Sequence, residues 1–197
     1  AMSANAADDL AEEVASTDGE AVTVREDFAN TVAWKPFLRS DKDGKIEFSF
    51  RNSDKLSTYY VQLFAHDRQM HNNALRAEMT VTIPVKVSLV EPLFLYDGDR
   101  YVARVSVSNS SDSCVKGKIS IKLFDSKDYR NGKEIASRCG SLEILAGGSA
   151  NFECPVNIRG LENLGILASF TPDSAGSGSD AVFVSTPVYP AVQTITE

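Results

Sequence analysis

The ten residues RYVARVSVSN (100–109) alternate apolar and polar side chains from Ala103 onward, and a polar Asp-Gly-Asp stretch precedes them. Alternation with a period of two is typical of a β-strand that buries one face. Similar short runs, separated by turn-forming residues, recur along the chain from Val22, and long helical periodicity is absent from that part of the sequence. We therefore predict an all-β protein made of immunoglobulin-like antiparallel β-sandwiches.

The predicted strands are too numerous for one sandwich of about seven strands, so two domains are expected. We place the boundary near Pro84, where one apolar run passes into the next. Residues 1–21 are acidic and rich in alanine, which predicts a flexible leader. The predicted strands are residues 21–24, 45–50, 58–66, 77–84, 85–92, 100–109, 116–125, 140–146, 149–157, 165–173 and 180–188.

Length and charge limit the classes of function. A chain of 197 residues can bury a sizeable core. Its formal net charge of −7 argues against a nucleic-acid partner, because phosphates require clustered lysine and arginine. No apolar run approaches the roughly 20 residues that a membrane-spanning helix needs. The first residues, AMSANAADDL, lack a signal-peptide pattern, and we expect the chain to be a piece of a longer protein.

Two acidic, glycine-containing stretches are candidate calcium sites. In RSDKDGKIEFSF (39–50), glycine would have to occupy the sixth position of a calcium loop, but counting from Asp41 puts Gly44 at the fourth. This spacing instead predicts an Asp-Gly turn that leads into a strand. The stretch LYDGDRY (95–101) also predicts a turn before a strand, with a carbohydrate or calcium site as the alternative.

Histidines and cysteines are the other candidate ligands. His66 and His71 lie five residues apart without a third ligand at a metal-binding spacing, which predicts a solvated strand end or loop. Cys114, Cys139 and Cys154 form no C-x-x-C pair. Cys139 and Cys154 flank a predicted hairpin turn, so a disulfide between them is the alternative to free thiols. The sequence predicts no metal site and no cofactor.

Catalytic chemistry is not indicated either. The sequence has no nucleophile elbow of the form G-x-S-x-G, and both histidines fall in one short stretch, which leaves little material for a catalytic triad. We predict no catalytic residues and no enzymatic activity.

One longer segment indicates a particular protein family more specifically than composition does. It is VREDFANTVAWKPFLRSDKDGKIEFSFRNSDKLSTYYVQLFAHD (24–67). It resembles the signature of the α2-macroglobulin and complement family, and residues 79–109, which end in Asn109, resemble its continuation. Ala29 stands where the family usually has proline after phenylalanine, and TVAW replaces TWLW, which suggests a bacterial-type member. The matching positions are Arg25, Phe28, Thr31, Trp34, Gly44, Ser57, Thr58, Tyr59, Gly98 and Asp99.

The resemblance implies a domain assignment. Residues 22–83 would be the latter part of the sixth macroglobulin-like domain, a partial sandwich, and residues 84–190 the complete seventh domain. Residues 191–197 would begin the next module. The CGSLE stretch (139–143) lacks the Glu-Gln of the family's thioester, so the thioester and the bait region would lie outside this chain.

The resemblance also implies a function. Family members trap endopeptidases: a protease cuts the bait, and the macroglobulin-like domains rearrange around it. This chain would serve as scaffold, with target proteases bound only through the full-length parent and with neighbouring macroglobulin-like domains as partners. The location would be extracytoplasmic, either periplasmic or at the cell surface. The alternative function is an immunoglobulin-like adhesin or glycan-binding surface module.

Two structural expectations follow for residues 22–83. Because aromatic side chains contribute much of the burial in small sandwiches, we predict Phe28, Trp34, Phe48 and Phe50 as core anchors. Because a partial sandwich keeps unpaired strand edges, we predict that it packs on the next domain or self-associates through those edges.

Overall fold

The computed structural model describes residues 13–14, 22–174 and 178–191, and these contain β-strands and connecting segments but no helix. The predicted all-β fold is confirmed. The predicted flexible leader (residues 1–21) and the predicted start of a next module (residues 191–197) lie almost wholly outside the described residues. The strands are β1 (Glu13–Val14), β2 (Val22–Arg25), β3 (Thr58–His66), β4 (Asn72–Thr80), β5 (Val85–Leu89), β6 (Leu95–Tyr96), β7 (Arg100–Asn109), β8 (Val115–Asp125), β9 (Lys133–Ile144), β10 (Ser149–Asn157), β11 (Asn163–Pro172) and β12 (Asp180–Tyr189).

The chain divides into two compact units. The C-terminal unit begins at Pro84 and also contains β2, whereas the N-terminal unit includes residues 27–83. The sequence grouped residues 22–25 with residues 27–83. The structure instead places β2 in the sheet of the C-terminal unit, where it pairs in parallel with β12.

The C-terminal unit is a sandwich of two sheets. One sheet has the order β1-β2-β12-β11-β8-β9, with β6 also paired to β12, and the other has the order β10-β7-β5. Alternation in β8 buries Ile119, Ile121 and Leu123, each at most 1% exposed, and leaves Lys118 and Lys122 outside. Burial of these side chains on one face of each sheet forms the core.

A second apolar cluster lies on the opposite face of the larger sheet. Leu167 follows Ile166 in β11, so the two side chains point to opposite faces. Leu167 contacts a cluster of buried side chains that the strand β2 helps to complete. The members of this cluster are Val22, Val24, Phe124, Tyr129, Leu167, Ala181 and Phe183.

The N-terminal unit is built around one hairpin. Strands β3 and β4 pair over nine positions, from Thr58↔Thr80 to His66↔Asn72. Residues 27–57 contain no strand, so the predicted strand at 45–50 is wrong. An alternating sequence becomes a strand only when a neighbouring strand accepts and donates its backbone hydrogen bonds, and no neighbour within this unit does so.

The predicted aromatic anchors of this unit are also wrong. Trp34 is 80% exposed and Phe50 is 38% exposed, while Phe28 and Phe48 are only half-buried. A single hairpin offers no second sheet against which these rings could pack. The buried aromatic side chain of the unit is Tyr59.

Candidate functional site

The N-terminal unit contains an open hollow of about 940 Å³, which we call the hairpin hollow. Residues 30–36 and Leu38 line one part of it, Phe48 and Phe50 another, and Lys55, Ser57 and parts of strands β3 and β4 the rest. Several lining rings and alkyl chains are solvent-exposed, including Trp34, Tyr60, Phe64 and Leu75. The hollow is therefore an apolar surface that the described residues leave uncovered.

Five positions of the family-like signature meet at the hairpin hollow. Thr31, Trp34, Ser57, Thr58 and Tyr59 all line it, although 23 residues separate Trp34 from Ser57 in sequence. The signature positions Phe28 and Gly44 do not line it. These signature positions therefore describe the lining of the hairpin hollow rather than a set of chemically reactive groups.

A buried pair of hydroxyl groups fixes Tyr59. The Tyr59 hydroxyl lies 2.7 Å from Ser53 Oγ and 2.9 Å from the Lys55 carbonyl oxygen. Ser53 Oγ also donates to the Ala29 carbonyl oxygen at 3.0 Å, so the pair of hydroxyl groups links β3 to the segment 27–57, which contains no strand. Sequence reasoning missed Ser53, because a serine in a loop has no distinguishing signal until its burial is known.

The hairpin also carries exposed aromatic side chains. The Arg76 guanidinium lies 4.0 Å from the centroid of the Tyr60 ring, a cation–π contact across the two strands. Phe64 is 69% exposed, and its ring lies 6.1 Å from that of His66. Asn30 lines the hollow as well, and its Oδ1 accepts a hydrogen bond from Lys55 Nζ.

The predicted Asp-Gly turn is present at residues 41–45. Gly44 has φ of 76°, a conformation that glycine adopts without a Cβ penalty. Asp41 Oδ1 accepts hydrogen bonds from the backbone amides of Asp43 and Lys45 at 3.0 and 2.8 Å. The aspartate thus stabilises the turn.

The turn at residues 96–99 uses its carboxylates in the same way. Asp99 Oδ2 accepts from the Tyr96 amide at 2.9 Å, and Asp97 Oδ1 accepts from the Gly160 amide at 2.7 Å. Gly98 has φ of 95° and donates its amide to the Ile158 carbonyl oxygen. Gly98 and Asp99 therefore hold the start of β7 against the chain after β10.

The histidines close the tip of the β3–β4 hairpin. His71 Nδ1 lies 2.7 Å from Asp67 Oδ2, and the hydrogen bond lowers the pKa of Asp67 below its ordinary value. Among the described residues no group of three or more histidine, cysteine, aspartate or glutamate side chains could hold a metal ion.

The three cysteines are free thiols. Cys139 lies on β9 and is exposed, whereas Cys154 lies on β10 in the other sheet and is buried. Burial raises the pKa of the Cys154 thiol. The disulfide considered between Cys139 and Cys154 is not formed.

The most buried charges belong to Arg25 and Asp180. Arg25 Nε and Nη2 each donate to the Asp180 carboxylate at 2.7 Å, and the two side chains are 12% and 3% exposed. Arg25 Nη2 also donates to the Val87 carbonyl oxygen, and the Val87 amide donates to Asp180 Oδ2 at 2.6 Å. Sequence reasoning missed Asp180, because nothing local indicates that an aspartate at a strand start meets an arginine 155 residues away.

Asn109, at the end of β7, is another buried polar side chain. Its Nδ2 donates to the carbonyl oxygens of Ser113, Ile144 and Leu145, and its Oδ1 accepts from the amide and hydroxyl of Ser111. This asparagine links β7 in one sheet to the end of β9 in the other.

Among the described residues no helix has the length and apolar character needed to cross a membrane.

Comparison with protein families gives one match. The family model described as "Alpha-2-macroglobulin family" matches residues 31–121, a range that starts in the lining of the hairpin hollow and ends within β8. No curated protein sequence matches the chain.

Solved structures with a similar fold include bacterial alpha-2-macroglobulins. Escherichia coli alpha-2-macroglobulin activated by porcine elastase superposes with a TM-score of 0.56 at 16% identity, over 80% of this chain and 15% of that one. The native E. coli protein gives 0.55 at 16% identity, over 77% and 9%. A Salmonella alpha-2-macroglobulin mutant gives 0.54 at 16% identity, over 77% and 10%. This chain therefore spans about a tenth to a seventh of the length of these proteins, and the likeness establishes the fold.

Proposed function

We propose that this chain, whose residues 31–121 match the alpha-2-macroglobulin family model, is a structural scaffold segment of a broad-spectrum endopeptidase inhibitor of that family. Its parent protein would trap proteases sterically, and this segment would hold neighbouring domains in place and move with them. The similar E. coli protein is described in a state activated by porcine elastase, which supports a protease as the partner of the parent.

The hairpin hollow is the observation that carries this proposal. Its apolar lining includes the signature positions Thr31, Trp34, Ser57, Thr58 and Tyr59, and a sandwich normally covers such a surface with a second sheet. We assign residues 22–83, of which strand β2 pairs into the sheet of the C-terminal unit, to the end of the sixth macroglobulin-like domain and residues 84–190 to the seventh. The strands that cover the hollow would then come from the part of the parent chain that precedes the bait.

The division of roles follows from this assignment. The proteases bind the parent through its bait region, the chain has no catalytic residues or cofactor of its own, and its direct partners are neighbouring macroglobulin-like domains. The parent works outside the cytoplasm, in the periplasm or at the cell surface of a bacterium.

An inhibition assay tests the proposal. The full-length parent is mixed with a panel of endopeptidases, and cleavage of a large protein substrate is compared with cleavage of a small peptide. We expect loss of protein cleavage with peptide cleavage retained, because a sterically enclosed protease still admits small molecules. The 197-residue chain alone is the matched control and should leave both activities unchanged. Survival of both activities in the presence of the parent would contradict the trap.

A second candidate function, glycan binding, is favoured by one observation. Exposed aromatic rings of Trp34, Tyr60 and Phe64 line the hairpin hollow together with Asn30, and sugars commonly stack on such rings. A glycan array probed with this chain tests it. Binding that is lost in Trp34→Ala would establish the glycan-binding alternative, and absence of binding to the array would contradict it.

A further inference from the structure

Strand β2, which is far from the rest of the C-terminal sandwich in sequence, lies beside β12 in the larger sheet. It pairs with β12 through only two positions, Val24↔Ala181 and Arg25↔Val182, and with β1 on its other side through two more. The side chains of Val22 and Val24 are at most 9% exposed within the cluster around Phe183. Few backbone pairings therefore hold β2 to β12, and side chains supply most of its attachment to the rest of the sandwich.

The first recognition element is a recess for a guanidinium group. The Asp180 carboxylate accepts two parallel hydrogen bonds from Arg25 and a third from the Val87 amide, and the Val87 carbonyl oxygen accepts a further bond from Arg25. Because Asp180 is 3% exposed on its side chain, an apolar residue in place of arginine would leave a buried carboxylate without its cation. Lysine cannot make the same pair of bonds from one planar group. The recess therefore selects arginine.

The second recognition element is Arg130, which binds the acidic side chain of Glu26. Arg130 Nη2 and Nη1 donate to the two carboxylate oxygens of Glu26 at 2.7 and 3.3 Å. Its guanidinium lies 4.6 Å from the centroid of the Tyr129 ring, which holds it in place. The Glu26 hydrogen bond raises the pKa of Arg130 above its ordinary value. This contact is more exposed than the Arg25 recess and adds selectivity rather than most of the affinity.

We propose that the β12 edge, with Asp180 and Arg130, is a peptide-binding site for an extended segment of the form apolar-x-apolar-Arg-acid. In the resting chain the site holds its own residues 22–26, and it accepts the same residues from a second copy of the chain by strand exchange. This goes beyond the scaffold function and does not depend on it, because it concerns an edge of one sandwich and not the parent's action on proteases.

Peptide binding to the full chain tests the proposal. The probe is a fluorescent peptide of residues 20–27, EAVTVRED, and the control peptide has alanine in place of arginine. The host is the full chain carrying Arg25→Ala, in which the resident strand has lost its anchor. We expect the probe to bind this host at least about tenfold more tightly than the control peptide, as the loss of three charge-assisted hydrogen bonds implies. In the double variant Arg25→Ala/Asp180→Asn, the difference between the two peptides should shrink several-fold.

A second measurement uses the wild-type chain, so that the proposal stays testable if Arg25→Ala does not fold. Excess probe should displace the resident strand and accelerate hydrogen exchange of the Val24 and Arg25 amides. The alanine control peptide should not have this effect. Equal binding of both peptides to a folded host, or unchanged exchange with probe and control, would overturn the proposal.

Discussion

The two units of this chain have similar alternating sequences but very different burial. In the C-terminal unit, strand β11 has five consecutive buried residues, Leu164–Ala168, because it lies between β8 and β12 and is covered on both faces. In the N-terminal unit, strand β3 buries Tyr59 alone among its nine residues. The sequence pattern sets which side chains share a face, whereas burial depends on whether another layer covers that face.

The largest expected effect comes from removing a fully buried aromatic ring from the core of the C-terminal sandwich. Phe170 is 0% exposed, and Phe170→Ala should lower the free energy of unfolding by about 3–5 kcal/mol, since it leaves a cavity in a packed core. Urea unfolding followed by circular dichroism measures this. The matched control is Trp34→Ala in the N-terminal unit. Because the Trp34 side chain is 80% exposed, this substitution should change the free energy of unfolding by at most about 0.5 kcal/mol. Equal losses would contradict the difference in burial between the two units.

The next effect concerns charge burial within the C-terminal unit. Asp180→Ala should cost about 3 kcal/mol, because it leaves the Arg25 guanidinium buried without its counter-ion. The control is Glu153→Ala, which breaks the exposed Arg104–Glu153 pair and should cost less than about 1 kcal/mol. Both are measured by urea unfolding, and similar costs would mean that the buried pair does not anchor β2.

A smaller effect tests the buried Tyr59 side chain of the N-terminal unit. Tyr59→Phe removes the hydroxyl that contacts Ser53 and Lys55, and it should destabilise the hairpin by about 1 kcal/mol. The neighbouring Tyr60 is 54% exposed, so Tyr60→Phe is a matched control that should have little effect. Hydrogen exchange of residues 58–80, followed by mass spectrometry, measures both. Faster exchange in Tyr60→Phe than in Tyr59→Phe would contradict this assignment.

The smallest effect is electrostatic and lies at the hairpin tip. The His71 hydrogen bond lowers the pKa of Asp67 below its ordinary value of 3.8, so its contribution to stability is present above that pH and lost as the pH falls through the lowered pKa. His71→Ala should move the pKa of Asp67 back toward 3.8 in a carboxyl NMR titration. His66→Ala should move it less, because His66 acts only through its charge. A larger shift in His66→Ala would reverse the assignment.

Local sequence located most strands well. The predicted ranges 58–66, 100–109 and 149–157 coincide with β3, β7 and β10, because alternation and flanking turn residues lie within each segment. The prediction at 45–50 failed although its pattern was equally regular, since no strand in its unit pairs with it. Pattern alone cannot report whether a partner strand is present.

The functional-site residues also fall into two groups, those that the sequence could identify and those that it could not. Turn residues such as Gly44 and Gly98 could be identified from sequence, because a positive φ is a property of the residue and its neighbours. The burial of Ser53 and Asp180 could not be identified, because it depends on residues that come into contact only after folding.

The sequence by itself determined the all-β class, most strand positions, the polar turns and the similarity of residues 31–121 to one family. Tertiary structure decided that β2 belongs to the C-terminal sandwich, that Arg25 meets Asp180, and that Trp34 and Phe50 stay exposed. The physical reason is the distance along the sequence over which each interaction acts. Conformational preference arises between neighbouring residues, whereas strand pairing, charge burial and packing require groups far apart in sequence to come together.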